Sequence, residues 1–299
     1  MTLSEKTASR RLFLSAAASC MLAFGLLLAF PLSGASETTI SPKPSGIPTI
    51  ASPPSATPPT LALPPTGIRA FHPGEVLTYV ASWSKMVSAG TVTMTVEREE
   101  LPGGREVLKF VVQGRTTGAI DKVFPVNDTV QSVFDPLRMQ SLSYSLRESY
   151  GKRKRLRVTE FDHAARTAVY RLNEDPPRTV GIPDPVYDGL SMLYALRTRG
   201  DLLIGKQLEI DVLDSGKTWT MQFLVLAREM IKTAAGDFDA VKISASSREK
   251  GTDTKKGEIL LWLTDDDRKV PVLMKTKIKV GSFVFELADM RPGTRRIVQ

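Results

Sequence analysis

From about residue 68 to residue 299, apolar side chains recur at every second position. Val92, Met94 and Val96 alternate with Thr91, Thr93, Thr95 and Glu97. Leu142, Tyr144 and Leu146 alternate with Ser141, Ser143, Ser145 and Arg147. Trp219, Met221, Phe223 and Val225 share one face, with Thr218, Thr220 and Gln222 opposite. Val270, Val272, Met274, Thr276, Ile278 and Val280 alternate with Lys275, Lys277 and Lys279. Successive side chains of a strand point to opposite faces, so a period of two means antiparallel strands with one dry and one wet face. The pattern predicts strands over 75–83, 90–98, 106–115, 127–134, 139–150, 153–162, 166–172, 207–214, 217–228, 238–248, 257–264, 269–280 and 282–289. Turn signals separate them, among them Pro102-Gly103-Gly104, Asp135-Pro136, Gly216 and Gly281. A sheet this wide curls instead of lying flat. The predicted fold is all-β and mainly antiparallel, a strongly curved half-barrel or barrel-like sheet. Its concave side would carry one amphipathic helix and enclose an apolar cavity.

That helix is the one break in the alternation. Val186 to Arg199 has helical spacing, with Val186, Leu190, Leu193 and Tyr194 on one apolar face. Asp184 is placed to cap it, Pro185 suits the first helical position and Gly200 suits the exit. Arg197 and Arg199 would complement the dipole at its end.

The N-terminus reads as an address. Lys6, Arg10 and Arg11 precede an apolar stretch from Leu12 to Leu32, and Ser33-Gly34-Ala35 offers a signal-peptidase site after Ala35. The stretch is also long enough to remain as a membrane anchor over residues 12–32. Ser9-Arg10-Arg11-Leu12-Phe13-Leu14 resembles a twin-arginine signal, while the strongly apolar run suits Sec export. Residues 1–35 are therefore a signal peptide or an anchor, and the chain is expected in the periplasm or cell envelope. Cys20, the sole cysteine, lies in this leader within a poor lipobox, so no disulfide framework exists. Residues 36–67 form a linker with nine prolines between Pro42 and Pro65. Proline fixes φ and lacks an N–H, which favours an extended polyproline form reaching ~80 Å over this length. Residues 68–299 are read as a single β-rich domain.

Chemistry is sparse. No phosphate loop or dinucleotide fingerprint is present, so no cofactor is expected. His72 and His163, the two histidines, read as turn residues, and with one cysteine they leave no His- or Cys-rich metal set. Gly189-Leu190-Ser191-Met192-Leu193 lacks the second glycine of a nucleophile elbow. Asp265, Asp266 and Asp267 are the candidate acidic site, read either as a turn between strands or as carboxylates for acid–base or hard-cation chemistry. The net charge of +8 favours anionic partners, although an exported chain seldom meets nucleic acid. Lys152, Arg153, Lys154, Arg155 and Arg157 form the densest basic run, at the tip of a predicted hairpin. It reads either as a patch for an anionic membrane or polysaccharide, or as a solvated strand end that discourages edge pairing.

Several blocks fall together in order. They are His72 to Trp83 with Ala89-Gly90, Phe124 to Asp135, Leu146-Arg147-Glu148, Phe161-Asp162, Tyr187 to Arg197, Gly236 to Ala240, and Leu261 to Val272 ending in Ile278 to Gly281. Over nearly all of residues 70–290 this resembles the bacterial envelope family called domain of unknown function 3108. The resemblance implies an exported, β-rich protein and supplies no catalytic residues. Three functions remain in view. The first is a non-enzymatic module holding a lipid or other apolar or amphiphilic ligand in the sheet's cavity. The second is an enzyme acting on cell wall or polysaccharide through the acidic cluster. The third is an assembly scaffold binding anionic surfaces.

Overall fold

The computed structural model describes residues 70–83, 87–123, 125–150, 153–250, 255–278 and 281–294. The leader and the Pro-rich linker lie outside them. The first run of strands is β1 (Val76–Trp83), β2 (Val87–Leu101), β3 (Arg105–Thr116), β4 (Asn127–Asp135), β5 (Gln140–Tyr150), β6 (Arg153–Asp162), β7 (Thr167–Leu172) and β8 (Arg178–Gly181). The second is β9 (Gln207–Asp214), β10 (Lys217–Thr233), β11 (Gly236–Glu249), β12 (Lys255–Thr264), β13 (Pro271–Ile278) and β14 (Gly281–Arg291). All fourteen belong to one antiparallel sheet, ordered β8-β7-β6-β5-β4-β3-β2-β1-β14-β13-β12-β11-β10-β9. Two meanders are thus joined where β14 returns beside β1. The thirteen predicted strands are all present, and β8 is the addition.

The inward positions are those the alternation marks. Tyr79, Val92, Met94, Trp219, Met221, Phe223, Val272 and Phe285 are all buried. The pattern breaks in β5. Val133 faces Ser143 but Phe134 faces Ser141, so Leu142 is the extra residue of a bulge. The bulge switches face. Ser141, expected to be wet, is fully buried, and Leu142 is half-buried.

Two helices occur among the described residues. The short α1 (Gly118–Val123) joins β3 to β4 and was not expected from the pattern. The longer α2 (Gly189–Arg197) begins later than predicted. Asp188, not Asp184, is its cap, accepting from the N–H groups of Leu190 and Ser191 at 2.8 and 2.9 Å. Pro185 stands before the helix, after a cis bond from Asp184. The expected single apolar stripe understates the burial, because every residue of α2 is buried. Tyr194 stacks on Phe110 at 3.7 Å, and Phe71 meets both rings edge-on.

Arg197 does not sit in solvent at the helix end. Its guanidinium is fully buried and forks onto Glu75 at 2.7 and 2.8 Å. It also donates to the carbonyls of Ala70 and Arg268 at 2.9 and 3.2 Å. One cation thereby ties α2, the N-terminal segment and the β12–β13 turn together.

The sheet is not closed by a ladder between β8 and β9. The gap is bridged by other means. Tyr187 makes a parallel bridge to Val212 of β9, and Ala168, Ile182, Val186 and Leu213 form a second small core there. Gly216, in the β9–β10 turn, lies so close to β7 and β8 that a Cβ would touch Tyr170 at 3.4 Å.

Truncating Glu75 would leave a buried guanidinium uncompensated. Glu75→Ala is expected to lower unfolding free energy by about 3–5 kcal/mol in urea titrations. The double variant Glu75→Leu/Arg197→Met should lose less than Glu75→Ala alone, because no buried charge is then left unpaired.

Candidate functional site

The antiparallel order sends alternate hairpins to opposite ends of the sheet. The first and last described segments meet at one end, where the Thr294 N–H donates to the Pro73 carbonyl at 3.0 Å. The other end carries the β5–β6 hairpin, α1 and the β9–β10 turn.

The predicted basic run divides there. Lys152 lies outside the described residues, and Arg153 opens β6 opposite Tyr150. Alternation then sends neighbours to opposite faces. Lys154 is exposed on the outer face. Arg155 reaches inward to 4.0 Å from Glu148. Arg157 is buried and bound to Glu148 at 3.0 Å, so it is a structural cation and takes no part in a surface patch. Arg157 also faces Asp214 at 3.9 Å and donates to Ser215 at 3.2 Å, which links β6 to the far edge of the sheet.

Other strands replace what the run loses. Arg115 of β3 pairs with Asn127 of β4, and Ser149 of β5 pairs with Lys154 of β6. Between them the Ser149 N–H donates to the Asp128 carboxylate at 2.8 Å. Arg115, Asn127, Ser149 and Lys154 therefore cross four adjacent strands in a row. Arg147, opposite Thr129, is exposed one step away on β5. A crevice of about 480 Å³ opens between this row and α1, lined by Arg115, Thr117, Gly118, Asp121, Asn127 and Ser149 among others. Arg115, Lys122, Arg147 and Lys154 are exposed and make no ion pair with any described residue. Most arginines of the opposite end do. Arg98, Arg138, Arg199, Arg228 and Arg268 hold Glu106, Asp135, Asp201, Asp265 and Asp266 at 2.6 to 3.0 Å. Toward β9 and β11, Lys217 pairs with Glu249 and Lys250 with Asp211. Four exposed cations without an ion pair thus lie together on α1 and β3 to β6, whereas Arg166, Arg178 and Arg291 are scattered over the rest of the described residues. No single stretch of sequence displays the group, because the residues meet only through strand register.

The acidic candidates form a turn. Asp266 accepts from Thr264 Oγ1 at 2.5 Å, from the N–H groups of Arg268 and Lys269 and from the Arg268 side chain. Partial burial works against ionisation, but the hydrogen bonds from Thr264 and Arg268 hold its carboxyl below the ordinary range. Asp265 is bound to Arg228, and Asp267 is exposed. Ser191 is likewise engaged. It lies 2.5 Å from Ser141 Oγ, which accepts from the Asp188 N–H, while Ser132 donates to the Asp188 carboxylate at 2.7 Å. His163 reaches the Ser141 carbonyl at 2.7 Å, not its hydroxyl. This buried network fastens α2 to β4 and β5.

The model of a protein family of unknown function, DUF3108, matches residues 78–288. The chain belongs to that family. No curated protein matches it. Among solved structures, a β-barrel-like protein of domain of unknown function DUF1849 from Brucella abortus is similar in fold. Its TM-score is 0.53 at 9% identity, covering 75% of this chain and 100% of that one. A candidate lipoprotein from Parabacteroides distasonis aligns at TM-score 0.32 and 12% identity, over 76% of this chain and 99% of its own. A candidate exported protein with a YmcC-like fold from Bacteroides fragilis aligns at 0.31 and 11%, over 75% and 99%. The sheet of this chain is barrel-like and stays open between β8 and β9, with α2 packed in its core. No helix among the described residues is long and apolar enough to cross a membrane.

Two carboxyls near the basic end have unusual titrations. Burial pushes Asp214 and Asp128 each up to about 6. A raised carboxyl favours folding while protonated, and that contribution is lost as pH rises through about 6. Stability from these two groups should therefore increase as pH falls from 7 to 5. Urea midpoints at pH 7, 6 and 5 measure this, and Asp214→Asn should remove its share of the rise.

Proposed function

We propose that this chain is a non-enzymatic module of the bacterial envelope that binds an anionic phospholipid surface through the basic end of its sheet. One observation carries the reading. Arg115, Lys122, Arg147 and Lys154, exposed and without an ion pair to any described residue, gather on α1 and β3 to β6, at the end opposite Ala70 and Thr294. Uncompensated surface charge supplies long-range attraction to an anionic bilayer, worth about 1 kcal/mol per cation near the membrane. The leader read from the sequence supports an envelope location.

The other two readings have less support. An apolar ligand held in the concave sheet needs the space that α2 and the Phe71, Phe110 and Tyr194 rings occupy. An enzyme using Asp266 needs a free carboxylate, and this one is saturated by its own turn.

Flotation of the full-length chain with vesicles tests the proposal. Vesicles mixing phosphatidylglycerol with phosphatidylcholine should bind it, with an affinity that falls steeply as salt rises. A retained leader would contribute equally to pure phosphatidylcholine vesicles, so the difference between the two reads the basic end. Arg147→Glu/Lys154→Glu should reduce that difference by roughly tenfold or more. Arg166→Glu, at the far end, should leave it unchanged. Equal binding to both vesicles, or binding only to an acidic polysaccharide, would overturn the proposal.

A further inference from the structure

We infer that the crevice between α1 and the β3–β6 row is a subsite for a phosphate group, the point at which the basic end grips one head group. The inference rests on the anion-binding reading and adds the chemistry of the ligand. Within the crevice, donors of different shape converge from neighbouring strands. Arg115 offers a planar fork, Asn127 an amide and Ser149 a hydroxyl, with Lys154 next in the row and Arg147 one step away. Adjacent strands lie about 4.8 Å apart, so the row from Arg115 to Lys154 spans about 14 Å. A tetrahedral oxyanion presents several oxygens in different directions and can meet two or three such strands at once. A carboxylate is planar and is satisfied by a single fork. The volume of about 480 Å³ is large enough for a phosphate-bearing head group, with Pro125 and Val126 lining it beside the polar donors.

Two acidic groups border the site, and each accepts a hydrogen bond from a neighbouring residue. Asp121 accepts from Thr116 Oγ1 at 2.8 Å and is followed by exposed Lys122. Asp128 is turned to the Ser149 N–H. Arg115 is the cation that lines the crevice directly, so its charge and its fork should dominate affinity.

Amide chemical shifts of the isotope-labelled full-length chain test this with defined probes at constant ionic strength. The probes are inorganic phosphate, glycerol phosphate, short-chain phosphatidylglycerol below its micelle concentration, and acetate. Saturable shifts at Gly118, Asn127 and Ser149 with a phosphate-bearing probe support the subsite. They should weaken at least fivefold in Arg115→Gln and persist in Arg166→Glu. Saturation by phosphate and glycerol phosphate would assign a free phosphate monoester, and saturation by phosphatidylglycerol alone would assign a lipid head group. Equal effects of acetate, shifts spread over all exposed cations, or an unchanged affinity in Arg115→Gln would overturn it. The vesicle experiment separates the two claims. Vesicle binding without crevice shifts refutes the subsite alone, and crevice shifts without vesicle binding refute the membrane reading alone.

Discussion

The ion pair between Arg197 and Glu75 is the constraint on which the rest of the structure depends. A fully buried guanidinium is tolerated only when its hydrogen-bond donors are met, and here Glu75, Ala70 and Arg268 meet them. Those partners come from the entry segment and from the turn between β12 and β13, which are far apart in sequence. The pair fixes where the C-terminal end of α2 sits. Asp188, with Ser132, Ser141 and Ser191, fixes its other end against β4 and β5. Both polar fastenings are directional. They specify one position for a helix whose apolar faces would accept several.

A helix held in that position completes a sheet that does not close on itself. Fourteen strands leave two unpaired edges, β8 and β9, and bare edges invite pairing with other chains. The segment leading into α2 covers β9 at Tyr187, and the Arg157–Glu148–Asp214 cluster draws the far strands together. The same up-and-down order separates the ends of the molecule. The end holding Ala70 and Thr294 is rich in ion pairs, and at the other end Arg115, Lys122, Arg147 and Lys154 remain unpaired among the described residues.

Much of this was legible residue by residue. Alternation alone located thirteen strands, because one wet and one dry face leave a period of two in any half-buried sheet. It failed where local geometry broke the period. Ser141 turned inward at the Leu142 bulge, and β8 was too short to show a pattern. The start of α2 was misplaced because Asp184-Pro185 resembles a cap followed by a first helical residue, whereas Asp188 makes the capping bonds. The candidate site was only half legible. Lys154 stood out within a basic run, yet Arg157 in the same run is buried. Arg115 and Arg147 carried no local signal.

The sequence by itself determined the class of fold, the family and the sign of the charge. Each follows from composition, period or order along the chain, which are local properties. The tertiary structure decided which charges are free, what fills the concave side and which donors line a common crevice. These depend on strand register and on contacts between residues such as Glu75 and Arg197, more than a hundred positions apart. A period of two assigns each side chain a face, but it cannot say which strand lies alongside. Only that neighbour determines whether an arginine meets a carboxylate or remains available for a partner.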